Sequence, residues 1–233
     1  MSILAIIPAR ANSKRLPNKN ILKLAGKPLI KWTIDSALQC NDISKVMVST
    51  DSPKIAELAT QFGADVPYLR CAELSGDTAS SYDVVIDAIS YYRKTGKEFK
   101  DILLLQPTSP LRDVKDINNA ISLYRKRDAN AVVSVVECEH SPLWCNTLPD
   151  SLRMDNFIND EIKKTRSQDL PKYYQINGAI YLIKTESLLR EKTFIPKKTF
   201  ALIMSKKNSV DIDDYYDFLR AEVFCNEDKR SFL

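Results

Sequence analysis

Four short, almost unbroken apolar runs, at residues 3–8, 45–50, 101–106 and 131–136, alternate with stretches of helical period, and that alternation constrains the fold more than anything else in the chain. A strand with one wet face alternates polar and apolar residues, whereas a strand covered on both faces reads as a continuous apolar run. The intervening periods are clear. Apolar positions at 29, 30, 34, 37 and 38 follow Gly26-Lys27-Pro28, and a short helix over 55–62 is closed by Gly63. Ser80 and Ser81 cap a helix through Val84, Val85, Ala88, Ile89 and Tyr92, and residues 114–126 make a fourth. The pattern βαβαβαβ predicts an α/β fold, a mostly parallel central sheet with helices on both faces. After residue 137 it breaks: residues 138–175 contain the only histidine, His140, with Trp144 and three prolines and no clean period. This segment reads as an inserted flap or a dimerisation arm. A strand over 174–183 carrying Asn177-Gly178, a short helix over 185–190, a strand over 200–204 and a helix over 215–225 complete the chain.

At 233 residues and 44% hydrophobic content the expectation is a single domain with a sizeable core, spanning 1–233. No apolar run approaches the ~18 residues of a membrane span, and the first run lacks a basic leader, so a cytoplasmic protein without membrane contact is expected. The five cysteines are scattered and never form a CxxC pair, which argues against a disulfide framework or a zinc site. The formal charge of +4 comes without a long basic stripe, a weak footprint for nucleic acid.

The positive charge is local. The first 34 residues hold seven cations and no carboxylate, so the other 199 residues sum to −3. Arg10, Ser13, Lys14, Arg15 and Lys19 fall in the loop after the first strand. In open sheets ligands bind beyond the carboxyl ends of the strands, where Arg10, Asp51 and Gln106 all lie. The loop is neither a Walker A loop nor a GxGxxG turn, but backbone N–H groups and ammonium charge suit it to phosphate. Near the other end, Asp211 and Asp213 share a side of an extended backbone with Ile212 opposite, a natural platform for Mg²⁺ when phosphates supply the remaining ligands. Competing structural uses exist: Asp213 or Asp214 can cap the C-terminal helix, and Gln106 can be satisfied by neighbouring backbone. A lone His140 reads as a packing or surface residue. No Ser-His-Asp or Cys-His spacing is present.

Six segments, in order, carry a resemblance to a known family: Ile6-Ile-Pro-Ala-Arg10 with Ser13-Lys14 and Lys19-Asn20, Val48-Ser-Thr-Asp51, Leu69-Arg70 through Asp77-Thr-Ala-Ser-Ser81, Leu104-Leu-Gln-Pro-Thr-Ser-Pro-Leu-Arg112, Asn177-Gly-Ala-Ile-Tyr181, and Ile203-Met-Ser205 with Ser209-Val-Asp-Ile-Asp213. The chain resembles the acylneuraminate (nonulosonic acid) cytidylyltransferases along nearly its whole length. The resemblance implies a Rossmann-like nucleotidyltransferase fold, a homodimer whose protruding arm reaches the neighbouring active site, and the reaction of CTP with a nine-carbon sugar acid to give the CMP-sugar and pyrophosphate, with Mg²⁺. It implies triphosphate binding by Arg10, Ser13, Lys14 and Lys19, of which Arg10, Lys14 and Lys19, with Asp211, are the catalytic candidates. Cytidine contacts fall on Asn20, Arg70 and Ser81, and metal ligands on Asp211 and Asp213. Sugar contacts fall on Gln106, Asn177, Gly178 and Phe194. Arg15 is the cation least matched by the family pattern. The chain departs from that pattern at Ala11-Asn12, where many members have two glycines. It departs again at Trp144 and Gln175, where some sialic-acid-specific members carry cations. Arg166 is then the candidate for the substrate carboxylate. An aromatic and a neutral residue at those positions suit a more deoxygenated, di-N-acylated acid such as legionaminic or pseudaminic acid at least as well as N-acetylneuraminic acid. The rivals are a cytidylyltransferase for the shorter acid Kdo, and a non-catalytic nucleotide-binding regulator.

Overall fold

A computed structural model describes residues 2–11, 13–76 and 78–230, with backbone alone over 227–230; Asn12 and Asp77, which fall in segments singled out above, lie outside the described residues. In chain order its elements are β1 (Ile3–Pro8), a small hairpin of β2 (Lys23–Leu24) and β3 (Lys27–Pro28), α1 (Leu29–Leu38), β4 (Ile43–Ser49), α2 (Pro53–Gln61), α3 (Ser81–Lys94), β5 (Asp101–Leu104), α4 (Val114–Lys126), β6 (Ala131–Glu137), α5 (Asp160–Lys163), β7 (Tyr174–Lys184), α6 (Thr185–Glu191), β8 (Thr199–Ile203) and α7 (Tyr215–Arg230).

The apolar runs form one six-stranded sheet in the order β4-β1-β5-β7-β6-β8. Strand pleating explains why the runs lack alternation: Ile3, Ala5 and Ile7 of β1 enter one buried layer and Leu4 and Ile6 the other. On the first face α1, α2 and α4 contribute Ile30, Ile34, Ala59, Ile117 and Ile121; on the second, α3 and α6 contribute Val85, Ala88, Ile89 and Leu188. The helix starts are equally physical. Ser80 with Asp83 and Asp113 with Asp116 close reciprocal capping boxes, satisfying amides that the first turn leaves open.

One strand runs against the rest. β1 pairs in parallel with β4 and β5, and β6 with β8, but β7 is antiparallel to both β5 and β6 and separates them. A strand–helix alternation carries no sign of this insertion, because direction and neighbour are set by tertiary pairing rather than by local pattern.

A third apolar cluster, Leu24, Leu29, Val210, Ile212 and Ala221, packs α7 and the 210–212 segment onto the β2–β3 hairpin. It brings the C-terminal acidic segment back to the N-terminal basic loop. The 138–173 segment contains only short turns and α5, between strand ends that pair directly, Glu137 opposite Tyr174. Tyr174 and Gln175, assigned to the arm from composition, already belong to β7. Among the described residues no helix is long and apolar enough to cross a membrane.

Candidate active site

The carboxyl ends of β1 and β5 and the start of α3 enclose a cleft of about 480 Å³. Arg10, Ser13, Lys14, Arg15, Lys19 and Asn20 line it from the basic loop, Arg70 from a second loop, residues 62–80 between α2 and α3, Ser81 from the start of α3, and Gln106, Pro107 and Thr108 from the segment after β5. Among the described lining residues five are cations and Asp213 is the one carboxylate.

Each side chain has a stated reason for its place. The Ala11 N–H donates to Asp51 Oδ1 at 2.8 Å, and Asn20 Nδ2 donates to the Arg10 carbonyl at 3.0 Å, so the basic loop is pinned at both ends. Among the described residues Asn20 Oδ1 is buried without a hydrogen-bond partner. Arg70 is 6% exposed, held by its own N–H to the Thr50 carbonyl and by Nε to Ser75 Oγ at 3.2 Å. Burial pulls its guanidinium below the ordinary arginine range, opposed by Asp51 and assisted by Arg10. Arg10 reaches the Gly76 carbonyl at 3.4 Å from the opposite wall.

Lys19 joins the two ends of the chain. It is 8% exposed, and its ammonium donates to the Ile212 carbonyl at 2.5 Å and lies 3.5 Å from Asp213 Oδ1. Arg15, the cation least matched by the family pattern, forms the shorter pair with Asp213, 2.8 Å to Oδ2. The helix cap is supplied by a different aspartate. Asp214 Oδ1 accepts the N–H groups of Tyr216 and Asp217, and Asp217 Oδ2 accepts those of Asp213 and Asp214, so neither Asp211 nor Asp213 caps α7.

Asp211 opens onto an adjoining cleft of about 400 Å³, which also holds Gln175, His140, Lys206, Asp217 and Arg220. Its carboxyl has an exposed face, yet the surrounding protein desolvates it and pushes it above the ordinary aspartate range. Asp213 and Asp217 push the same way, while the Thr108 hydroxyl and the Lys19 ammonium pull it back. Among the described residues no three histidine, cysteine or carboxylate side chains cluster as a metal site; a Mg²⁺ ion here would draw on one or two carboxylates and on phosphate oxygens, an ordinary environment for it.

The remaining predicted residues separate into distinct environments. Gly178 backs Gln106: its φ is +74°, and a Cβ there would stand 3.3 Å from Gln106 Oε1. Asn177, expected to line the pocket, is 7% exposed and engaged inside the protein. Its Oδ1 lies 2.6 Å from Ser134 Oγ and accepts the Ala179 N–H, and its Nδ2 donates to Ser209 Oγ at 2.9 Å. That network ties β7 to the segment leading into Asp211. Phe194 is half-buried against Tyr181 and Tyr82, with centroids 5.4 and 6.5 Å away. Trp144 and Arg166 are exposed on the 138–173 segment and line neither cleft. Sequence reasoning missed two residues. Arg15 was visible only as charge, and the wholly buried Arg112 was visible only as the end of the Leu104–Arg112 segment, with no role read for it.

Comparison with known proteins agrees with this geometry. A family model described as cytidylyltransferase matches residues 4–225. A CMP-N,N'-diacetyllegionaminic acid synthase of Legionella pneumophila is 39% identical over 229 residues, covering 95% of each chain. An N-acylneuraminate cytidylyltransferase of Streptococcus agalactiae serotype III is 41% identical over 221 residues, and the match spans 94% of this chain but only 52% of the streptococcal one. A solved CMP:2-keto-3-deoxy-manno-octonic acid synthetase complexed with CTP superposes with a TM-score of 0.71 at 18% identity, covering 98% of this chain and 100% of that one; it shows the Rossmann-like nucleotidyltransferase fold. A mostly parallel sheet, a cationic cleft beyond its carboxyl ends and a family match over almost all of its length place the chain in the cytidylyltransferase family of enzymes.

Proposed function

We propose that the chain transfers CMP from CTP to the anomeric hydroxyl of a nonulosonic acid with release of pyrophosphate, and that a di-N-acylated legionaminic acid is preferred to N-acetylneuraminic acid. The observation that carries the reading is the cleft itself, where among the described residues five cations face one carboxylate beside Gln106 and Ser81. Such an excess suits a triphosphate and leaves neutral donors and acceptors for the cytosine and the sugar.

Arg10, Ser13, Lys14 and Lys19 bind the phosphates. Asn20, Arg70 and Ser81 contact the cytidine, with the unpartnered Asn20 Oδ1 as an acceptor for it. The sugar meets Gln106, with Phe194, Trp144 and Gln175 as its further candidate contacts. The hydroxyl oxygen attacks the α-phosphorus, the bond to the bridging oxygen of the β-phosphate breaks, pyrophosphate leaves and the hydroxyl proton is lost. No nucleophilic side chain is needed. The cations that hold the triphosphate in line also neutralise the charge that develops on the leaving group, so positioning and electrostatics dominate. Asp211 and Asp213 are the residues that would hold Mg²⁺, which when bound supplies charge neutralisation and a lowered pKa for a coordinated hydroxyl.

We further propose a cytoplasmic homodimer. Its support is the apolar surface on the arm and the adjoining end of β7: Trp144, Leu148, Leu152, Met154, Tyr174 and Ile176 are all at least 40% exposed. Arg166 would then serve the neighbouring site and meet the substrate carboxylate there. The test is pyrophosphate release from CTP and Mg²⁺ with a panel of sugar acids. Fastest turnover of N,N'-diacetyllegionaminic acid is expected. Fastest turnover of N-acetylneuraminic acid sinks the sugar preference, and no release with any sugar acid sinks the reading.

A further inference from the structure

The least economical residue in the protein is Arg112. Its side chain is 1% exposed, the largest group in the core, and every hydrogen bond it makes goes to a neutral oxygen. Nη1 donates to the carbonyls of Gln106 at 3.3 Å and Ala179 at 3.1 Å, Nη2 donates to Ser36 Oγ at 3.4 Å, and Nε has no partner. Burial pushes the guanidinium down to about 10, with Asp116 and Asp113 opposing only through space. A buried cation with no bonded carboxylate carries a desolvation cost that its neutral hydrogen bonds offset only in part. Charge pairing therefore does not explain it.

Geometry does. Gln106 ends the run that continues β5, and Ala179 follows the positive-φ Gly178 in β7, where the β6–β7 ladder breaks register between Val133 and Val135. Regular pairing of β5 with β7 extends only from Asp101 to Leu104, so the ladder stops before Gln106. Beyond it, the two carbonyls are bridged by a single guanidinium nitrogen, Nη1, while Nη2 of the same plane reaches α1 at Ser36. The planar guanidinium fixes Nη1 through that second donor, which a lone ammonium lacks. On the cleft side of the same junction, the Gln106 amide rests against Gly178.

We propose that Arg112 is a positioning residue for the sugar acid: by clamping the carbonyls of Gln106 and Ala179 from behind, it fixes the Gln106 side chain against Gly178 in the orientation that receives the acceptor. The inference rests on the reading of Gln106 as a sugar contact. It predicts a selective effect, because the basic loop and Arg70 stand on β1 and the second loop and share none of the clamp's bonds.

The experiment compares steady-state pyrophosphate release by the full chain and its Gln106→Ala, Arg112→Lys, Arg112→Met and Gln106→Ala/Arg112→Lys variants, with CTP and N,N'-diacetyllegionaminic or N-acetylneuraminic acid varied in turn. Arg112→Lys keeps the charge but loses the fork. It is expected to raise KM for the sugar acid about five- to tenfold, the equivalent of one neutral hydrogen bond, with KM for CTP within about twofold. In the Gln106→Ala background it should add nothing. Equal rises in both KM values, a loss of kcat alone, or multiplied effects in the double variant would overturn the proposal while leaving Gln106 a sugar contact. An unchanged sugar KM in Gln106→Ala removes the underlying reading instead. Should Arg112→Met fail to fold, Arg112→Lys carries the test; if neither folds, Arg112 is a residue of the core only and the proposal falls.

Discussion

Replacing Gly178 by alanine tests the junction behind the cleft with the smallest possible perturbation, a single methyl group. Two costs can be worked from the structure. At φ +74° an L-residue pays about 1–2 kcal/mol for a left-handed backbone. Reduced freedom of the unfolded chain returns about 0.4–1 kcal/mol. The new Cβ would also stand 3.3 Å from Gln106 Oε1, close enough that the amide must move by a few tenths of an ångström. The net loss is about 1 kcal/mol, which lowers Tm by roughly 2–4 °C in a domain of this size. If Gln106 holds the sugar acid, its displaced amide weakens one hydrogen bond and raises KM for that substrate about fivefold, with KM for CTP unmoved. The assays are calorimetric melting and pyrophosphate release under varied sugar or varied CTP. A Gly178→Ala variant that melts with the parent and keeps its sugar KM would refute both the strain and the contact.

Other outcomes follow from the same geometry. Asp211→Asn should abolish turnover while leaving Tm within about 1 °C, since exposed-faced carboxylates in a repulsive cluster add little to stability; an unchanged rate removes Asp211 from the machinery. Arg15→Gln frees Asp213 from its 2.8 Å ion pair and should tighten Mn²⁺ binding by the nucleotide-free protein in titration calorimetry; equal or weaker binding contradicts the pairing as a competitor for the cation. Asp65→Asn tests a pH dependence. Burial raises the Asp65 carboxyl, but Lys45 at 2.9 Å and Tyr92 at 2.7 Å outweigh it and hold it below the ordinary aspartate range. Its contribution is thus complete above that range and is lost as pH falls through the lowered value. The Tm gap between parent and Asp65→Asn should be widest near neutral pH and close in acid; a gap that widens in acid reverses the sign.

Much of this architecture could be read from residues alone, and the reasons are local. α1 and α4 occupy the spans their apolar periods indicate, because caps, period and a buried face all act within one helix. β1 and β5 were legible because a strand covered on both faces has nowhere to put a polar residue. What escaped was set by distant partners. The reversed direction of β7 depends on β5 and β6, not on its own composition. Asn177 looks like a cleft residue until Ser134 and Ser209 take up its amide inside the protein. The acidic segment posed the same problem, since Asp213 or Asp214 could cap α7 and only the folded backbone brings the Tyr216 and Asp217 N–H groups to Asp214. The basic loop was conspicuous as charge, but charge alone ranked Arg15 no differently from Lys19. Burial separates them: Lys19 is tied into the protein at Ile212, and Arg15 lies at the mouth.

The neck of the arm has a consequence of its own. Glu137 and Tyr174 stand opposite each other in the ladder, the Cys138 N–H donates to the Tyr173 carbonyl at 2.8 Å, and Lys172 pairs with Glu137 at 3.0 Å. The chain thus leaves the sheet and returns to it at one stapled point, and the excursion between is a closed loop whose ends are fixed whatever its length. Each doubling of such a loop costs only about 0.6 kcal/mol in closure entropy. The strand pairing that positions the cationic cleft is therefore set independently of how long residues 138–173 are.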